Sequence, residues 1–481
     1  KLISTTFSSD NSWNNYFNSV TTIKRYSSVL NNSTSLSNGV KTKISYKDHD
    51  VLIGTPRTII TENSFGDRHR AKTIYAHEVD EYSEMGPKSE NINNKNMLTQ
   101  EAGSYLYYDN GNTDYTDDPV LNASITTWKK NWDYREWFEN KYQTTDTDPI
   151  MNSSHIPVWR KKTTYSWRSK LDPETGAYRK TDGLTLFDEE DEFEFDNEAS
   201  YENNHSGWVK NSEVTLYDHY SNPREVKDVN GQYASSKTWR GLTVSNIVGA
   251  AYSEYCSSSS EEVVDGKNYS VGNVYFETET MQGGGSSLNT DSINSHTGSN
   301  SVKVTNTNVR AFESKFYINA DKFEPNSTYL MSVWVKGNIG NNANHIALKT
   351  YTANASSPTS VVNPEIIQAG DWYQLRYTFN LPNVGTYNSL PYIRVTIGSA
   401  NYSGDLYFDD YRLYPIGASM TSYVYDDQDR IQYILDGNNL ATKYKYDGKG
   451  RLKAIYTEKV GADGGFVKSA DSKYHMIRDN E

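Results

Sequence analysis

The residues of this chain that could perform catalysis do not stand at the spacings that catalysis requires. His77 and Glu78 would begin a zinc-protease motif, but Glu81 stands where that motif needs its second histidine. The single cysteine, Cys256, has no histidine near it in sequence, so a thiol nucleophile is not indicated. The 61 acidic residues could include the carboxylate pair of a glycosidase, but no pair is distinguished by its surroundings. The sequence therefore favours a protein that is not an enzyme.

Composition favours sheets and turns. The chain has 39 tyrosines among 481 residues, and tyrosine suits a pleated surface where its ring is packed and its hydroxyl is wet. The net charge of −13 argues against a nucleic-acid partner, because phosphate binding requires a basic face. No apolar run of 18 residues occurs, so no membrane span is predicted. The start at Lys1 and the abrupt end at Glu481 indicate a piece of a longer protein.

A tyrosine repeat near the C-terminus predicts a series of short hairpins. Tyr423-Val424-Tyr425-Asp426 returns 21 residues later as Tyr444-Lys445-Tyr446-Asp447. Because side chains alternate along a strand, the two tyrosines of each copy share one face. Asp447-Gly448-Lys449-Gly450 supplies residues that tolerate a tight turn. We expect a meander of hairpins with one aromatic face.

The repeat resembles the YD repeat of RHS proteins, of the BC components of Tc toxins and of teneurins. Residues 444–452, Tyr-Lys-Tyr-Asp-Gly-Lys-Gly-Arg-Leu, carry this resemblance, and residues 217–231 resemble its diverged form. The earlier copy departs from the pattern because Asp429 stands where a glycine is usual. The resemblance implies RHS-type β-hairpin repeats that form an extended or shell-like sheet in a bacterial protein, such as a polymorphic toxin with an encapsulated toxin domain or a surface adhesin.

The middle of the chain differs in composition and pattern, with less tyrosine and with regularly spaced segments that are typical of short strands. It resembles a family 4/9/22-type carbohydrate-binding module, a β-sandwich of the jelly-roll type, in five segments: Phe276-Glu277, residues 296–304, residues 329–337, Gly370-Asp371-Trp372-Tyr373 and Leu406-Tyr407-Phe408-Asp409-Asp410. In such modules an early glutamate, carbonyls of a Thr-Gly loop and a late Asp-Asp pair often hold a structural calcium ion, which prefers oxygen ligands. The resemblance thus implies Glu277, Asp409 and Asp410 as metal ligands. The alternative is that Glu277 begins a strand and the Asp pair caps a turn.

The same resemblance implies a glycan partner, bound by aromatic rings. Tyr351, Tyr387 and Tyr392 are our candidates for the ligand-binding residues. Trp334 and Trp372 could also stack on sugars, but tryptophan on a sandwich strand more often packs inside the protein.

These patterns together predict an all-β chain with three parts. Residues 1–264 form a diverged RHS-like repeat region, residues 265–416 an inserted sandwich, and residues 417–481 YD/RHS repeats. The serine-rich, acidic run from Ser257 to Glu262 predicts a linker at the first boundary.

Three functional hypotheses remain open at this point. The first is a non-catalytic wall or shell segment of a large secreted or cell-surface RHS-repeat protein that carries a glycan-binding module. The second is a dedicated glycan-binding surface protein with the repeats as a stalk. The third is a glycoside hydrolase with an accessory module.

Overall fold

The computed structural model describes most of the chain as β-structure. The described residues are 29–111, 118, 120–132, 157–168, 193–196, 198, 208–218, 220–261, 269–270, 274–276, 286–317, 327–339, 343–352, 360–381, 392–401 and 404–474. At positions 168, 269–270, 274–276, 315–317, 352, 360–362 and 392–394 the description is limited to the backbone. The chain divides into two compact units, residues 1–126 with 166–209, and residues 127–165 with 210–481.

The first unit is a meander in which each described strand pairs antiparallel with the next. Two short 3-10 helices, Ala76–Glu78 and Asp80–Met85, follow its fourth strand. The strands are β1 (Asn32–Ser37), β2 (Val40–His49), β3 (Pro56–Asn63), β4 (Arg68–Tyr75), β5 (Glu101–Tyr108) and β6 (Val120–Lys129), of which the last three residues belong to the second unit.

The second unit contains a sheet of antiparallel hairpins, which we call the hairpin sheet. Its strands follow the order β7 to β11 and then β25 to β29. Their bounds are β7 (Arg160–Arg168), β8 (Trp208–Tyr217), β9 (Pro223–Asp228), β10 (Tyr233–Trp239), β11 (Leu242–Val248), β25 (Ser419–Tyr425), β26 (Ile431–Leu435), β27 (Ala441–Tyr446), β28 (Leu452–Lys459) and β29 (Gly465–Asp471).

Aspartate-led turns connect several hairpins in the same way. The carboxylate of Asp447 accepts hydrogen bonds from the backbone N–H groups of residues 449 and 451, each at 2.9 Å. Asp426 does the same for residues 428 and 430 at 3.0 Å. The residue three positions after the aspartate has a positive φ, 79° at Gly450 and 59° at Asp429. Aspartate tolerates this left-handed conformation better than most residues, so Asp429 keeps the turn although a glycine is usual there.

The sandwich consists of two facing sheets. The first sandwich sheet has the order β15-β16-β24-β18-β22-β21, with β12 paired to β24, and the second has the order β13-β14-β17-β23-β19-β20. A 3-10 helix spans Ser292–Asn294. The strands are β12 (Cys256–Ser258), β13 (Tyr269–Ser270), β14 (Val274–Phe276), β15 (Ser286–Asn289), β16 (Ser301–Val304), β17 (Arg310–Tyr317), β18 (Thr328–Lys336), β19 (Ile346–Thr352), β20 (Ser360–Val362), β21 (Glu365–Ala369), β22 (Trp372–Asn380), β23 (Tyr392–Ser399) and β24 (Leu406–Pro415).

The core lies between these two sheets because alternate residues of their strands are apolar. On β18, Tyr329, Met331 and Val333 are fully buried in it, and on β23, Val395 and Ile397 meet them from the opposite sheet. The period of two therefore assigns every strand an inner and an outer face.

The sandwich is an insertion between two neighbouring strands of the hairpin sheet. β11 pairs directly with β25, with Ile247 opposite Met420, and the whole sandwich lies between them in sequence. The chain thus leaves the sheet and returns to it at adjacent positions, as domain insertion at a hairpin requires.

The predicted linker at Ser257–Glu262 is wrong for its first four residues. Residues 257–260 are buried, and β12 pairs with β24 inside the first sandwich sheet, upstream of the expected start at residue 265. Serine can be buried when its hydroxyl is hydrogen-bonded, as Ser260 is to Asp409 at 3.2 Å. The linker prediction from composition was therefore wrong for a segment that includes a buried strand, β12.

Candidate functional site

The outer face of the first sandwich sheet is covered by the hairpin sheet. Trp334 points outward from β18 and is fully buried, and its indole N–H donates to the carbonyl of Asn439 at 2.8 Å. Gln374 on β22 donates to the carbonyl of Asn438 at 2.7 Å. The Asn439 amide donates in return to the carbonyl of Asp410 at 2.9 Å. This face is an internal interface.

Arg412 is a buried cation in that interface. Its guanidinium donates to the backbone carbonyls of Leu435 at 2.9 Å, of Met420 at 3.3 Å and of Asp436. Burial lowers the pKa of Arg412 to about 10 because desolvation disfavours the charged form. Carbonyl oxygens at strand ends of the hairpin sheet thus satisfy a charge carried by the sandwich.

His296 occupies the centre of the interface between two carboxylates. Its Nδ1 donates to Asp410 at 2.6 Å and its Nε2 donates to Glu458 of the hairpin sheet at 2.7 Å. The ring stacks on Trp334, with centroids 4.1 Å apart and planes 15° from parallel. Burial alone would lower the pKa of His296, but the charge of Glu458 and the hydrogen bonds to both carboxylates raise it to about 10. The imidazole is therefore a cation shared by two carboxylates at neutral pH.

Asp409 and Asp410 gather around the loop that begins at His296. Asp409 accepts the backbone N–H groups of His296 at 2.8 Å and Thr297 at 3.2 Å, and Asp410 accepts the hydroxyl of Thr297 at 2.8 Å. Burial, followed by the charge of Asp410, raises the pKa of Asp409 well above its ordinary value. The structure thus brings the late Asp-Asp pair to the Thr-Gly loop, as the resemblance implied.

Glu261 meets the same loop, although the sequence analysis did not select it. Its carboxylate accepts hydrogen bonds from the backbone of Ser299 and of Asn300, the latter at 2.7 Å. Burial raises the pKa of Glu261. Glu277 lies outside the described residues, so its metal role stays a prediction.

These carboxylates have the donor chemistry of a calcium site. Glu261 and Asp409 supply oxygen atoms, which calcium prefers, and burial raises the pKa of each carboxyl group. A bound divalent cation would stabilise the ionised forms. The hydrogen bonds that now occupy Asp409 would have to rearrange, and the calcium assignment stays a prediction.

The outer face of the second sandwich sheet has another character. Lys349 and Tyr351 on β19 point away from the core, because the alternating residues Leu348 and Thr350 are buried, and both remain half-buried. Across the sheet, Tyr351 is in register with Arg394 and Lys349 with Thr396 on β23. Polar and aromatic residues thus alternate with the apolar core residues on this sheet.

Two of the three candidate tyrosines have positions on this face. Tyr351 is on β19, and Tyr392 is two residues from Arg394 on β23, a spacing that keeps a strand position on the same face. Tyr387 lies outside the described residues. The binding role of all three stays a prediction. Trp334, by contrast, is packed inside the protein, as expected.

The sequence analysis missed the His296–Glu458 contact. The segment that begins at His296 was noted for its resemblance to a carbohydrate-binding module. Its hydrogen-bond partner Glu458 is 162 positions away in the sequence. Glu458 lies at a buried position near the end of β28, between the exposed residues Thr457 and Lys459. An isolated acid on the inward face of a strand is the signal that could have identified it.

A separate cluster in the first unit brings together Asp50, His77 and Glu78, whose ligand atoms lie within 4.8 Å of one another. Arg57 forms ion pairs with both carboxylates, at 2.6 Å to Asp50. A guanidinium therefore already supplies the positive charge that a metal would supply there.

Comparison with known proteins identifies the sandwich. Residues 268–402 match the family model CBM_4_9, described as "Carbohydrate binding domain". The chain therefore contains a carbohydrate-binding domain of the 4/9 type, and this part of the expected resemblance is confirmed. The RHS assignment of the YD-like repeats stays a prediction. A comparison with curated proteins gives no match.

Several solved structures are similar to part of the chain. One is the C-terminal family 22 carbohydrate-binding module of Clostridium thermocellum Xyn10B, at 18% identity, covering 35% of this chain and 98% of that one, with a TM-score of 0.23. Another is the CBM22-1 xylan-binding domain of Paenibacillus barcinonensis Xyn10C, at 13% identity, covering 34% and 93%, with a TM-score of 0.22. A third is TmCBM61 in complex with β-1,4-galactotriose, at 16% identity, covering 34% and 90%, with a TM-score of 0.17. Among the described residues, no helix has the length and apolar character to cross a membrane.

Proposed function

We propose that this protein binds a glycan through the outer face of the second sandwich sheet. The observation that carries the proposal is the difference between the two outer faces. The first is buried under the hairpin sheet, whereas Lys349 and Tyr351 keep part of their surface on the second. A half-buried tyrosine presents a flat apolar ring that can stack on a sugar and a hydroxyl that can donate to it.

Glycan binding is tested by titrating the full chain with soluble polysaccharides, including xylan and β-1,4-galactan. Replacing Tyr351 by Ala should lower the affinity at least tenfold, which corresponds to about 1.4 kcal/mol. Tyr220, which is 74% exposed at the turn between β8 and β9, provides the matched control, and Tyr220→Ala should bind as the wild type does. Equal binding by wild type and Tyr351→Ala would place the ligand elsewhere.

The hairpin sheet, in this proposal, is a non-catalytic wall that carries the module. Support comes from the repeated aspartate-led turns and from the insertion of the sandwich between neighbouring strands. Together with the YD resemblance, they favour a segment of a large secreted or cell-surface RHS-repeat protein of the toxin or adhesin type. A search for reducing ends released from the bound polysaccharide tests the wall role, and glycan hydrolysis would favour the hydrolase alternative. The toxin form also predicts further repeats and then a non-repetitive domain after Glu481.

We further propose calcium as a structural cofactor, held by Asp409 with Glu261 at the loop after His296. EDTA should then lower the melting temperature of the full chain, and excess calcium should restore it by mass action. The Glu261→Gln variant should lose this calcium response. A melting temperature that EDTA leaves unchanged would contradict the cofactor without affecting the glycan proposal.

A further inference from the structure

The outer face of the second sandwich sheet concentrates basic residues. β17, β23 and β19 are neighbours in that order, and their register places Lys315 opposite Arg394 and Arg394 opposite Tyr351. The next row on the same face joins Glu313, Thr396 and Lys349. Since neighbouring strands lie about 4.8 Å apart, each row spans roughly 10 Å. Three cationic positions therefore fall within a small area.

The acidic residue of these two rows has a cationic partner. Glu313 forms an ion pair with Arg310 on its own strand, three residues earlier. Lys349, in contrast, has no carboxylate within ion-pair distance among the residues that the structure describes. These two rows therefore hold three cationic positions, Lys315, Lys349 and Arg394, and one acidic position, Glu313.

This local excess stands out against the charge of the whole molecule. The chain carries 61 acidic and 48 basic residues, for a net charge of −13. An uncharged ligand would not need a cationic surface on an acidic protein, whereas an anionic polymer would be repelled by most of the molecule and attracted here. Arginine is also the side chain whose planar donors match a carboxylate or a sulfate group.

Aromatic positions lie beside the cations. Tyr351 ends the row of Lys315 and Arg394, and the following row pairs Tyr317 with Tyr392. A polymer lying along these rows could place a sugar ring on a tyrosine and its acidic group at a neighbouring cation. Stacking on the tyrosine would then orient the sugar ring, and the cations would favour sugars that carry a negative charge.

We propose that the glycan recognised by this face is acidic, a polysaccharide whose sugars carry carboxylate or sulfate groups. The inference rests on the proposed glycan-binding function and assigns the chemical class of its ligand. Both kinds of anionic group fit the same cations, and the choice of probes separates them.

The experiment compares binding of the full chain to polygalacturonate, dextran sulfate and neutral xylan over a range of salt concentrations. We expect an anionic probe to bind more tightly than xylan, with an affinity that falls as salt rises, since salt screens charge. Polygalacturonate binding would identify a uronate ligand, and dextran sulfate binding a sulfated one. Arg394→Gln and Lys349→Gln should each lower the affinity for the anionic probe about tenfold and reduce the salt dependence of that binding. The affinity for xylan should change little.

Lys88→Gln serves as the control, because Lys88 is an exposed lysine of the first unit. The inference is overturned if Lys88→Gln weakens binding as much as Arg394→Gln, because the attraction would then be general. It is also overturned if xylan binds in a Tyr351-dependent way and no anionic probe binds, although the glycan-binding function would then stand. Failure of every probe would reject both. Unchanged melting temperatures are required of each variant.

Discussion

The two outer faces of the sandwich differ in how far the rest of the protein covers them. The face of the first sheet carries Trp334, Gln374 and Arg412 and is buried against the hairpin sheet. The face of the second sheet carries Tyr351 and Lys349, which are only half-buried. Trp334, Gln374 and Arg412 on the first face donate hydrogen bonds to the hairpin sheet, whereas Tyr351 and Lys349 on the second face keep part of their surface exposed. A jelly-roll sandwich can therefore be attached through one sheet and remain available through the other.

The comparison predicts, first, that truncation on the buried face is the most costly change. Trp334→Ala should lower the free energy of unfolding by about 3–5 kcal/mol, because it removes a fully buried ring. It also removes the shorter of the two hydrogen bonds to the carbonyl of Asn439, which then keeps only the Gln374 amide at 3.3 Å. Chemical denaturation of the full chain measures the effect. A loss below about 1 kcal/mol would mean that the interface with the hairpin sheet contributes little.

The second prediction concerns pH. The pKa of His296 is raised from 6.5 to about 10 by Glu458 and Asp410, against the effect of burial. Because the folded pKa exceeds the unfolded one, this stabilisation is complete below pH 6.5 and declines as pH rises towards 10. The raised pKa values of Asp409 and Glu261, which also accept hydrogen bonds from this loop, act in the same direction. The melting temperature should therefore fall between pH 7 and pH 9.5.

Two variants sharpen that pH experiment. Glu458→Gln keeps the size of the side chain but removes the charge that holds the His296 proton, so the fall above pH 7 should become shallower. Glu365→Gln is the control, because Glu365 is an exposed acid on β21, at the edge of the first sandwich sheet. A wild-type melting temperature that is constant from pH 7 to 9.5 would contradict a shared imidazolium in the interface.

The third prediction concerns the tyrosine face of the hairpin sheet. Tyr446 is half-buried and donates its hydroxyl to the carbonyl of Ile431 at 2.7 Å, with the Arg430 guanidinium 4.6 Å above its ring. Tyr446→Ala should therefore cost about 1–3 kcal/mol, less than a fully buried aromatic side chain. Tyr446→Phe should retain most of the stability. Glycan binding should be unchanged in both variants, and its loss at normal stability would make this face a recognition surface.

The smallest effect on stability is expected on the open face of the sandwich. Tyr351→Ala should change the free energy of unfolding by less than about 1 kcal/mol, because the ring is only half-buried. The same variant is expected to lose glycan affinity. A large destabilisation would instead make Tyr351 a structural residue and would weaken the distinction between the two faces.

The sequence by itself determined the local structure. Aspartate-led turns at residues 426 and 447 depend on hydrogen bonds between residues two and four positions apart, so they can be recognised without the fold. The inner faces of the sandwich strands follow from the period of two, whereas the metal role of Asp409 and Asp410 stays a prediction. Buried serines such as Ser260 were wrongly assigned to an exposed linker, because the sequence does not show the hydrogen-bond partners that allow a serine to be buried.

Only the tertiary structure decided which outer face is covered and which groups share the interface. His296 meets Glu458 across 162 residues of sequence, and Trp334 meets Asn439 across 105. No periodicity reports such contacts, because each strand has the same alternation whether its outer face meets water or another sheet. The burial that turns His296 into a shared cation is produced by the return of the chain to the hairpin sheet after the insertion, where the packing of two sheets excludes water from the charges between them.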